Sequence, residues 1–249
     1  MVLPVKGVEK RPEGANISFL LIHGFCAAPD EIGTLGDFLQ KNGIASFAVQ
    51  VAGHNTKPED VAATTKDDWY SSVRDGLELI RTWNSRYIFV AGVSMGGVLA
   101  LLLAARENDI DGVIPISPAL KVRGFGIKLV PVLKYVMKYR NVDLSGMMNI
   151  YDIPRTKYER EPLSAIHELA KLIKVAKKEM PKVRCPALVI QSGEDKTIDP
   201  ISGQIAFDSI SSTEKQLHVI SGAEHVIPCH PTRTKVYPLI LEFVKSQTA

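Results

Sequence analysis

Residues 87–105 read YIFVAGVSMGGVLALLLAA and join two apolar runs through a glycine-rich turn. The first run has the length and composition of a buried strand, and the second has those of a buried helix. Between them Gly92, Ser94 and Gly96 form the pattern G-x-S-x-G. In a strand–turn–helix setting this pattern places the serine on a sharp turn at the edge of a sheet, in front of a helix N-terminus. The sequence therefore predicts that Ser94 is a nucleophile.

A serine nucleophile needs partners. The hydroxyl group of serine is a poor nucleophile at neutral pH, so the interpretation requires a histidine and an acid elsewhere in the chain. The alternative is a chance match to the pattern, in which Ser94 only stands near the cap of a helix. Suitable partners at the right places along the chain would decide between the two.

Apolar runs alternate with helix-like runs over most of the chain. Strand-like runs occupy about 17–22, 44–51, 87–91, 112–117, 187–191 and 216–220, and helix-like runs about 30–42, 66–84, 98–105, 201–210 and 232–246. Strands that are apolar on both faces and alternate with helices indicate a parallel sheet covered on both sides. The predicted fold class is therefore α/β, with a mostly parallel sheet and helices on both faces.

The interval 121–182 departs from this alternation. It contains no convincing strand and is rich in lysine, methionine and tyrosine. Two amphipathic helices are predicted within it, at 127–139 and at 164–178, the second with its first residue, a serine, as the N-cap. We interpret the interval as a helical cap inserted over the carboxyl edge of the sheet, with residues 1–120 and 183–249 forming the core.

The acid that would accompany Ser94 is expected after a strand, because active sites of open α/β sheets lie beyond the carboxyl ends of the strands. Four acids follow the strand-like run at 187–191, namely Glu194, Asp195, Asp199 and Asp208. Asp195 is the predicted partner because it sits in a turn directly after the strand. Asp199 is the competing candidate, but it precedes a proline and resembles an acid at a helix N-terminus.

The base is predicted at His225, which lies just past the last strand-like run. His230 is the nearest rival, but it stands before Pro231 at the start of a helix. The order Ser94, Asp195, His225 matches the nucleophile–acid–base order of hydrolases that carry the G-x-S-x-G turn. In this scheme the histidine takes the serine proton during attack, and the aspartate fixes the tautomer of the imidazole.

Two backbone N–H groups are also needed to stabilise the oxyanion of the reaction. One is expected from Met95, directly after the nucleophile, and the other from Phe25, in the loop after His23 and Gly24. The donors belong to the backbone, so Phe25→Ala is expected to spare the chemistry while altering the acyl pocket. Cys26 follows in the same loop, and two interpretations of it stay open: a small buried residue or a reactive thiol of low pKa.

Seven segments that span nearly the whole core carry a family resemblance. They are LLIHGFCAAP (20–29), VAGHNTKPEDV (51–61), DDWYSSV (67–73), GVSMGGVLALLLA (92–104), CPALVIQSGEDKTIDP (185–200), SSTEKQ (211–216) and GAEHVIP (222–228). On these segments the chain resembles the α/β-hydrolase superfamily and, more narrowly, the bacterial and archaeal monoacylglycerol lipases and small carboxylesterases. The resemblance implies the α/β-hydrolase fold, the triad Ser94, Asp195 and His225, and the oxyanion donors Phe25 and Met95.

Two further residues are interpreted through the resemblance. Ser192 stands three residues before the predicted acid, where the family usually has glycine, and this is a departure from the pattern. His54 belongs to a Gly-His segment that shapes the loop near the oxyanion hole in such hydrolases, and we interpret it as structural. The cap resembles the family only loosely.

The resemblance implies hydrolysis of esters with a medium-length acyl chain through an acyl-enzyme, with monoacylglycerol as the leading substrate. An acyltransferase or a carbon–carbon bond hydrolase would use the same triad, and a non-enzymatic ligand sensor could keep the scaffold. An acyl chain needs an adaptable apolar lining. The cap residues considered for it, which are otherwise plain core, are Met137, Met147, Met148, Tyr135 and Ile150.

Length and composition limit the function classes. A chain of 249 residues is expected to form one large domain, or one domain with an insertion. The net charge of +3 does not argue for a nucleic-acid partner. The three cysteines are widely spaced, without a metal-binding spacing or a disulfide framework. The predicted mechanism requires no cofactor and no metal.

Location and lipid contact are expectations from the apolar pattern. Residues 1–11 lack the apolar region of a signal peptide, and no apolar stretch reaches transmembrane length, so a cytoplasmic location is expected. A lysine-flanked helix around 129–139 fits either transient contact with a lipid surface or an ordinary cap helix with a solvated face, and we favour the second. The oligomeric state is left open.

Overall fold

The structure of this chain is a computed structural model that describes residues 5–123 and 137–249. Several predictions of the sequence analysis concern residues or side chains that the structure does not describe. The parts that lie outside the described residues are Tyr135, most of the helix predicted at 127–139 with its hypothesis of lipid contact, and the side chains of Met147 and Met148.

Nine strands occur in the described residues. They are β1 Gly7–Lys10, β2 Ile17–Ile22, β3 Ala45–Val49, β4 Tyr87–Val93, β5 Gly112–Ile116, β6 Tyr139–Asn141, β7 Arg160–Pro162, β8 Ala187–Ser192 and β9 Lys215–Ile220. Seven of them form one sheet in the order β1-β3-β2-β4-β5-β8-β9, while β6 pairs with β7. Every neighbouring pair of the large sheet is parallel except β1 with β3. The predicted α/β class with a mostly parallel sheet is confirmed.

The helices connect these strands. They are α1 Gly33–Lys41, α2 Pro58–Ala62, α3 Lys66–Arg81, α4 Met95–Ala104, α5 Met147–Ile150, α6 Leu163–Glu179, α7 Ile201–Ser209 and α8 Arg233–Thr248, with short 3₁₀ turns at Pro29–Ile32, Met180–Lys182 and Ile227–Cys229. Within the described ranges, none of the helices is long and apolar enough to cross a membrane.

Two buried apolar clusters lie on opposite faces of the large sheet. Along β2, Leu20 and Ile22 belong to one cluster, and Phe19 and Leu21 belong to the other. Successive side chains of a strand point to opposite faces, so the clusters mark the two faces. The first cluster includes residues of α3, α4 and α6, and the second includes residues of α1 and α8. Helices therefore cover both faces, as the apolar strands predict.

Three strands were not predicted from the sequence. β1 is an antiparallel edge strand whose first three residues are exposed, so no apolar run marks it. The interval 121–182 is predicted to hold no strand, and this is wrong, because β6 and β7 form an antiparallel pair within it. These strands have three residues each, which is too short for a periodic signal. Neither joins the large sheet, and the bounds of the cap at 121–182 stay a prediction.

The N-cap predicted for the second cap helix is also wrong. α6 begins at Leu163, and its N-cap is Pro162, whose φ of −66° suits entry into a helix. Ser164 is already inside the helix. Its Oγ donates a hydrogen bond to the carbonyl of Ala62 at 3.3 Å. This serine therefore ties α6 to α2 instead of capping its own helix.

The sheet brings the candidate functional residues to one edge. Ser94 follows β4, Asp195 follows β8 and His225 follows β9. These three strands run parallel in one sheet, so their carboxyl ends lie at the same edge. The described part of the cap, α6 above all, packs against α4, which begins at that edge.

Removal of a large side chain from the sheet should test how much the second cluster contributes. Phe89, in β4, is fully buried, stacks on Phe19 at 5.3 Å and meets Phe243 edge-on at 6.2 Å between ring centroids. We expect Phe89→Ala to lower the free energy of unfolding by about 3–5 kcal/mol in urea denaturation, because it leaves a cavity. Val219→Ala, at a side chain that is 60% exposed, is the control and should change it by less than about 0.5 kcal/mol. Equal effects of the two substitutions would contradict this account of the core.

Candidate active site

Ser94 occupies a strained turn between β4 and α4. Its backbone has φ +56° and ψ −113°, a conformation that residues with a side chain rarely adopt. The Ser94 N–H donates to the carbonyl of Ile116 at 3.0 Å, and the Ser94 carbonyl accepts from the N–H of Ala119 at 3.1 Å. The turn is therefore fixed to β5 and to the segment after it. Ser94 is 9% exposed and lines a cavity that residues of the interval 121–182 also line.

The two glycines of the pattern are required by space. A Cβ atom on Gly92 would lie 2.2 Å from the carbonyl oxygen of Gly96. A Cβ atom on Gly96 would lie 2.2 Å from the carbonyl oxygen of Ile22. Carbon and oxygen atoms cannot approach so closely, so α4 can start against the end of β2 only because these positions lack side chains.

Asp195 and His225 form a hydrogen-bonded pair. The Nδ1 atom of His225 lies 2.6 Å from Oδ2 of Asp195, whose side chain is fully buried. The other carboxylate oxygen accepts the backbone N–H groups of Thr197 at 2.8 Å and Ile198 at 2.7 Å. These bonds hold the carboxylate in one orientation. Since Nδ1 is engaged, Nε2 is the ring nitrogen that is left for a reacting group.

The rival acid and base take other partners. Asp199 forms an ion pair with Lys121 at 2.8 Å, and it accepts a backbone N–H at the start of α7. The Nδ1 atom of His230 lies 2.9 Å from Oγ1 of Thr232. Neither rival is among the described residues that line the cavity, whereas His225 is. The geometry thus brings together the predicted acid and base and leaves the rivals apart.

The loop that carries Phe25 passes beside Ser94. A Cβ atom placed on Gly24 would lie 3.5 Å from Cβ of Ser94. Met95 directly follows the serine as the buried first residue of α4. The two predicted oxyanion donors, the N–H groups of Phe25 and Met95, therefore belong to backbone that borders the serine.

A cavity of about 500 Å³ opens next to Ser94 and His225. Its volume lies in the range of small-molecule sites. Part of the wall is apolar, with side chains of the core and of the cap. Among these are Leu144, Leu163, Ile166, Leu169 and Ile198, together with Met137 and Ile150, which the sequence proposed for the acyl lining.

Charged residues of the cap form another part of the wall, and the sequence did not predict them. The Nζ atom of Lys157 lies 2.6 Å from Glu161, and Arg140 donates to the other oxygen of the same carboxylate. Burial opposes ionisation of Glu161, but the two cations outweigh it and lower its pKa. Charges in a cap look like a solvated surface in the sequence. The four-residue spacing of Lys157 and Glu161 was no usable signal, because such a spacing brings side chains together on a helix and residues 157–161 are not helical.

Cys26 fits the interpretation as a small buried residue. Its side chain is inaccessible, and burial raises the pKa of its thiol to about 12. It has φ +52°, so the loop after Phe25 turns sharply at this cysteine. A thiolate is the reactive form of cysteine, and burial disfavours it here.

Two buried histidines support the same loop. The Nδ1 atom of His23 lies 2.8 Å from the carbonyl oxygen of Gly24, and its ring lies 5.3 Å from the ring of His54. Burial lowers the pKa of His23 and lowers that of His54 to about 3. His54 also packs edge-on against Phe25 and Trp69. In the ranges 5–123 and 137–249, no group of three His, Cys, Asp or Glu side chains could hold a metal ion.

Comparison with known proteins shows similarity to a protein family and to individual proteins of that kind. A family model described as "Serine aminopeptidase, S33" matches residues 15–231. The thermostable monoacylglycerol lipase of Bacillus sp. (strain H-257) is 31% identical over 231 residues, which cover 93% of this chain and 91% of that protein. The carboxylesterase of Bacillus subtilis (strain 168) is 26% identical and covers 97% of this chain and 98% of its own length.

Solved structures are similar over the whole chain. One described as "LipS and LipT, two metagenome-derived lipolytic enzymes" has a TM-score of 0.89 and 26% identity, with 99% of this chain and 100% of that chain covered. A soluble variant of monoglyceride lipase from Saccharomyces cerevisiae has a TM-score of 0.83 and 19% identity, with 99% and 95% covered. At that identity the yeast structure shows similarity of the fold alone.

The thiol of Cys26 should resist modification in the folded protein. Burial raises the pKa of Cys26, Cys185 and Cys229 to about 12, so about one thiol in 10⁴ is ionised at pH 8. We expect less than one equivalent to react with Ellman's reagent within minutes in the native state, and three equivalents after unfolding in guanidinium. Cys185→Ala removes the partly exposed thiol and controls for slow reaction there. Rapid stoichiometric labelling of native Cys185→Ala protein would contradict burial of the other two.

The buried histidines should make stability depend on pH. His54 has its pKa lowered to about 3, so it stays neutral in the folded protein at pH 5, whereas the unfolded chain takes up a proton below its ordinary pKa of 6.5. The stabilisation that comes from burying a neutral His54 is therefore fully present above pH 6.5, and it is lost as the pH falls towards 3. Between pH 7 and pH 5 we expect it to account for about 2 kcal/mol of the free energy of unfolding that is lost. His54→Gln should have a correspondingly shallower profile in urea denaturation, and equal slopes for the two proteins would contradict the prediction.

Proposed function

This chain belongs to the serine aminopeptidase S33 family, a family of serine hydrolases, and we propose that it is an ester hydrolase that acts on monoacylglycerols with a medium-length acyl chain. Its relatives are named monoacylglycerol lipase and carboxylesterase. The α/β-hydrolase fold predicted from the resemblance is confirmed by the similarity to solved lipolytic enzymes. The observation that carries the proposal is that Ser94, on its strained turn, and His225, held by the buried Asp195, line the same cavity.

In the proposed mechanism Ser94 is the nucleophile and His225 is the general base. The Nε2 atom of His225 takes the proton of the Ser94 hydroxyl while Oγ attacks the ester carbonyl carbon. When the tetrahedral intermediate collapses, the carbon–oxygen bond to the alcohol breaks, and His225 gives the proton to the departing alkoxide. A water molecule, deprotonated by the same histidine, then attacks the acyl-enzyme and releases the fatty acid.

Asp195 and the oxyanion donors assist each step. The Asp195 carboxylate, held by two backbone N–H groups, orients the ring and stabilises the imidazolium that forms. The N–H groups of Phe25 and Met95 would donate to the oxygen on which negative charge develops. Loss of one such donor costs about 2.7–4 kcal/mol in the transition state.

The cavity has an apolar wall and a charged wall, which supports an ester with an apolar acyl chain and a polar alcohol. Leu163, Ile166 and Leu169 of α6 offer an apolar surface to an acyl chain. Lys157 and Glu161 offer charged groups and hydrogen-bond donors to a polar alcohol. Glycerol esterified once combines an apolar acyl chain with two free hydroxyl groups, which suits both walls. A triacylglycerol has no free hydroxyl group for the polar side.

The first test compares wild type with Ser94→Ala. We expect kcat/KM for p-nitrophenyl esters to fall by at least about 10³-fold in the variant, because the nucleophile is lost while binding is kept. Ser211→Ala changes an exposed serine and is the matched control that should retain wild-type activity. If Ser94→Ala keeps its activity, the assignment of the nucleophile is wrong.

The same assay separates the competing functions. p-Nitrophenyl esters of short, medium and long acids give the acyl preference, and mono-, di- and triacylglycerol give the alcohol preference. A preference for medium chains and for monoacylglycerol is expected.

Aminoacyl p-nitroanilides test the activity that the family description would suggest. Ester product formed with an added alcohol would favour an acyltransferase, and an inactive wild type would favour a sensor or a carbon–carbon bond hydrolase.

A further inference from the structure

One segment of the cap runs between two loops of the candidate active site. We call residues 151–158 the return segment, because it precedes β7 and α6 on the way back to the core. Towards the loop after His225, the N–H of Ile153 donates to the carbonyl of Cys229 at 3.3 Å, and the hydroxyl of Tyr151 accepts the N–H of Val226 at 3.4 Å. The return segment therefore contacts the loop that carries the candidate base.

Its other end is bonded to the loop that carries Phe25, residues 24–31, which we call the oxyanion loop. Three consecutive residues of the return segment make hydrogen bonds to it. Thr156 donates its N–H and its hydroxyl to Asp30 at 2.8 Å, Lys157 donates from Nζ to the Phe25 carbonyl at 2.9 Å, and Tyr158 donates its N–H to the Cys26 carbonyl at 3.2 Å. The cap thus holds the oxyanion loop along most of its length.

A buried ion pair forms the innermost of these contacts. Arg155 of the return segment donates from Nη1 to Oε1 of Glu31 at 2.6 Å. The other carboxylate oxygen of Glu31 accepts the backbone N–H of Gly24 at 2.6 Å. The two side chains are only 8% and 4% exposed, and both line the cavity. One carboxylate therefore links the cap to the backbone directly before Phe25.

These bonds fix the backbone that presents the N–H of Phe25. Glu31 holds the N–H of Gly24, and the ring of His23 lies 2.8 Å from the carbonyl of Gly24. That carbonyl and the N–H of Phe25 belong to the same planar peptide unit, so an atom that fixes one also fixes the direction of the other. A Cβ atom on Gly24 would lie 2.7 Å from Oε2 of Glu31, so a glycine is needed for the carboxylate to reach the backbone.

A gain in stability alone does not explain why the ion pair of Glu31 and Arg155 is buried beside the oxyanion loop. Desolvation of two charges offsets much of their attraction, and apolar side chains of similar volume are often as stabilising. Charge-assisted hydrogen bonds are short and directional, so what the pair supplies is geometry. The geometry concerned is that of a backbone donor that must lie about 3 Å from the oxyanion.

We propose that Glu31 and Arg155 are positioning residues that align the Phe25 N–H with the oxyanion of the transition state. The proposal rests on the proposed function, because it assigns a purpose to the oxyanion hole of that reaction. Arg155 holds Glu31, and Glu31 holds the N–H of Gly24. Gly24 is thereby fixed on its amino side, while the His23 ring contacts the Gly24–Phe25 peptide itself. The hole is complete only when the return segment of the cap is in place.

Two variants test the proposal. Glu31→Gln keeps the shape of the side chain but removes the charge from both of its hydrogen bonds. The double variant Glu31→Leu with Arg155→Met removes both charges together and leaves an apolar pair, which should keep the melting temperature near that of the wild type. We expect kcat for p-nitrophenyl butyrate to fall at least tenfold in each, with KM within about twofold of wild type, because ground-state binding does not use the oxyanion donor.

A second readout separates positioning from general damage. A trifluoromethyl ketone with the same acyl chain forms a tetrahedral adduct with Ser94, and its inhibition constant should rise by the factor by which kcat/KM falls. Arg155→Lys keeps a cation beside Glu31 and should recover kcat to within about threefold of wild type. Glu59→Gln with Arg160→Met removes an exposed ion pair between α2 and β7 and is the control that should leave kcat unchanged.

The outcomes distinguish this proposal from the proposed function. Wild-type kcat in a folded Glu31→Gln protein, or in the folded double variant, would overturn the positioning role alone. Suppose that Glu31→Gln lowers both the melting temperature and kcat, and that the double variant restores both. The positioning role would then also be wrong, since the pair would matter only for charge balance. A wild type without Ser94-dependent ester hydrolysis would overturn both proposals.

Discussion

At Ser94 three pieces of backbone meet with no space for a side chain between them. Gly92 lies against Gly96, and Gly96 lies against the carbonyl of Ile22, in contacts that neither glycine could keep if it had a Cβ atom. The ends of β2 and β4 and the start of α4 are therefore fixed relative to one another. The φ of +56° at Ser94 is a local cost of about 1–3 kcal/mol, which the apolar core on both faces of the sheet offsets.

The position of this junction determines what the rest of the chain must reach. β8 is separated from β4 by β5, and β9 lies one strand further out. The candidate acid and base must therefore extend from their strands towards the serine. Asp195 is held by the N–H groups of the turn that follows it, and it in turn holds His225. The turn after Asp195 thus orients the carboxylate, and the carboxylate orients the ring of His225.

The cap contributes charge as well as apolar surface to the cavity. Lys157 and Glu161 are paired inside the cap, while Arg155 pairs with Glu31 of the core. Removing one partner of the Glu31–Arg155 pair would leave an uncompensated buried charge, which is far less favourable than losing an exposed one. The cap is therefore joined to the oxyanion loop by contacts that depend on exact placement, in addition to the apolar contacts of α6 with α4.

The sequence by itself determined those features that depend on neighbouring residues in the chain and on the periodic pattern of apolar residues. The G-x-S-x-G pattern, the alternation of apolar runs and the residues that follow each strand predicted the sheet and the candidate residues Ser94, Asp195 and His225. β1, β6 and β7 were missed because short or exposed strands carry no periodic signal. The N-cap of α6 was placed wrongly because a serine before an apolar run is typical of an N-cap. In the structure this serine, Ser164, bonds to the carbonyl of Ala62 in α2 instead.

Only the tertiary structure decided which charged residues are buried and with whom they pair. Glu31 and Arg155 are 124 positions apart in the chain, and each is unremarkable in its own segment. A charged side chain can pair with any opposite charge that folding brings near it, so its partner depends on which loops meet in space. The candidate nucleophile Ser94 is marked by its neighbours along the chain, whereas the contact of Glu31 with Arg155 exists only after the return segment has folded against the oxyanion loop.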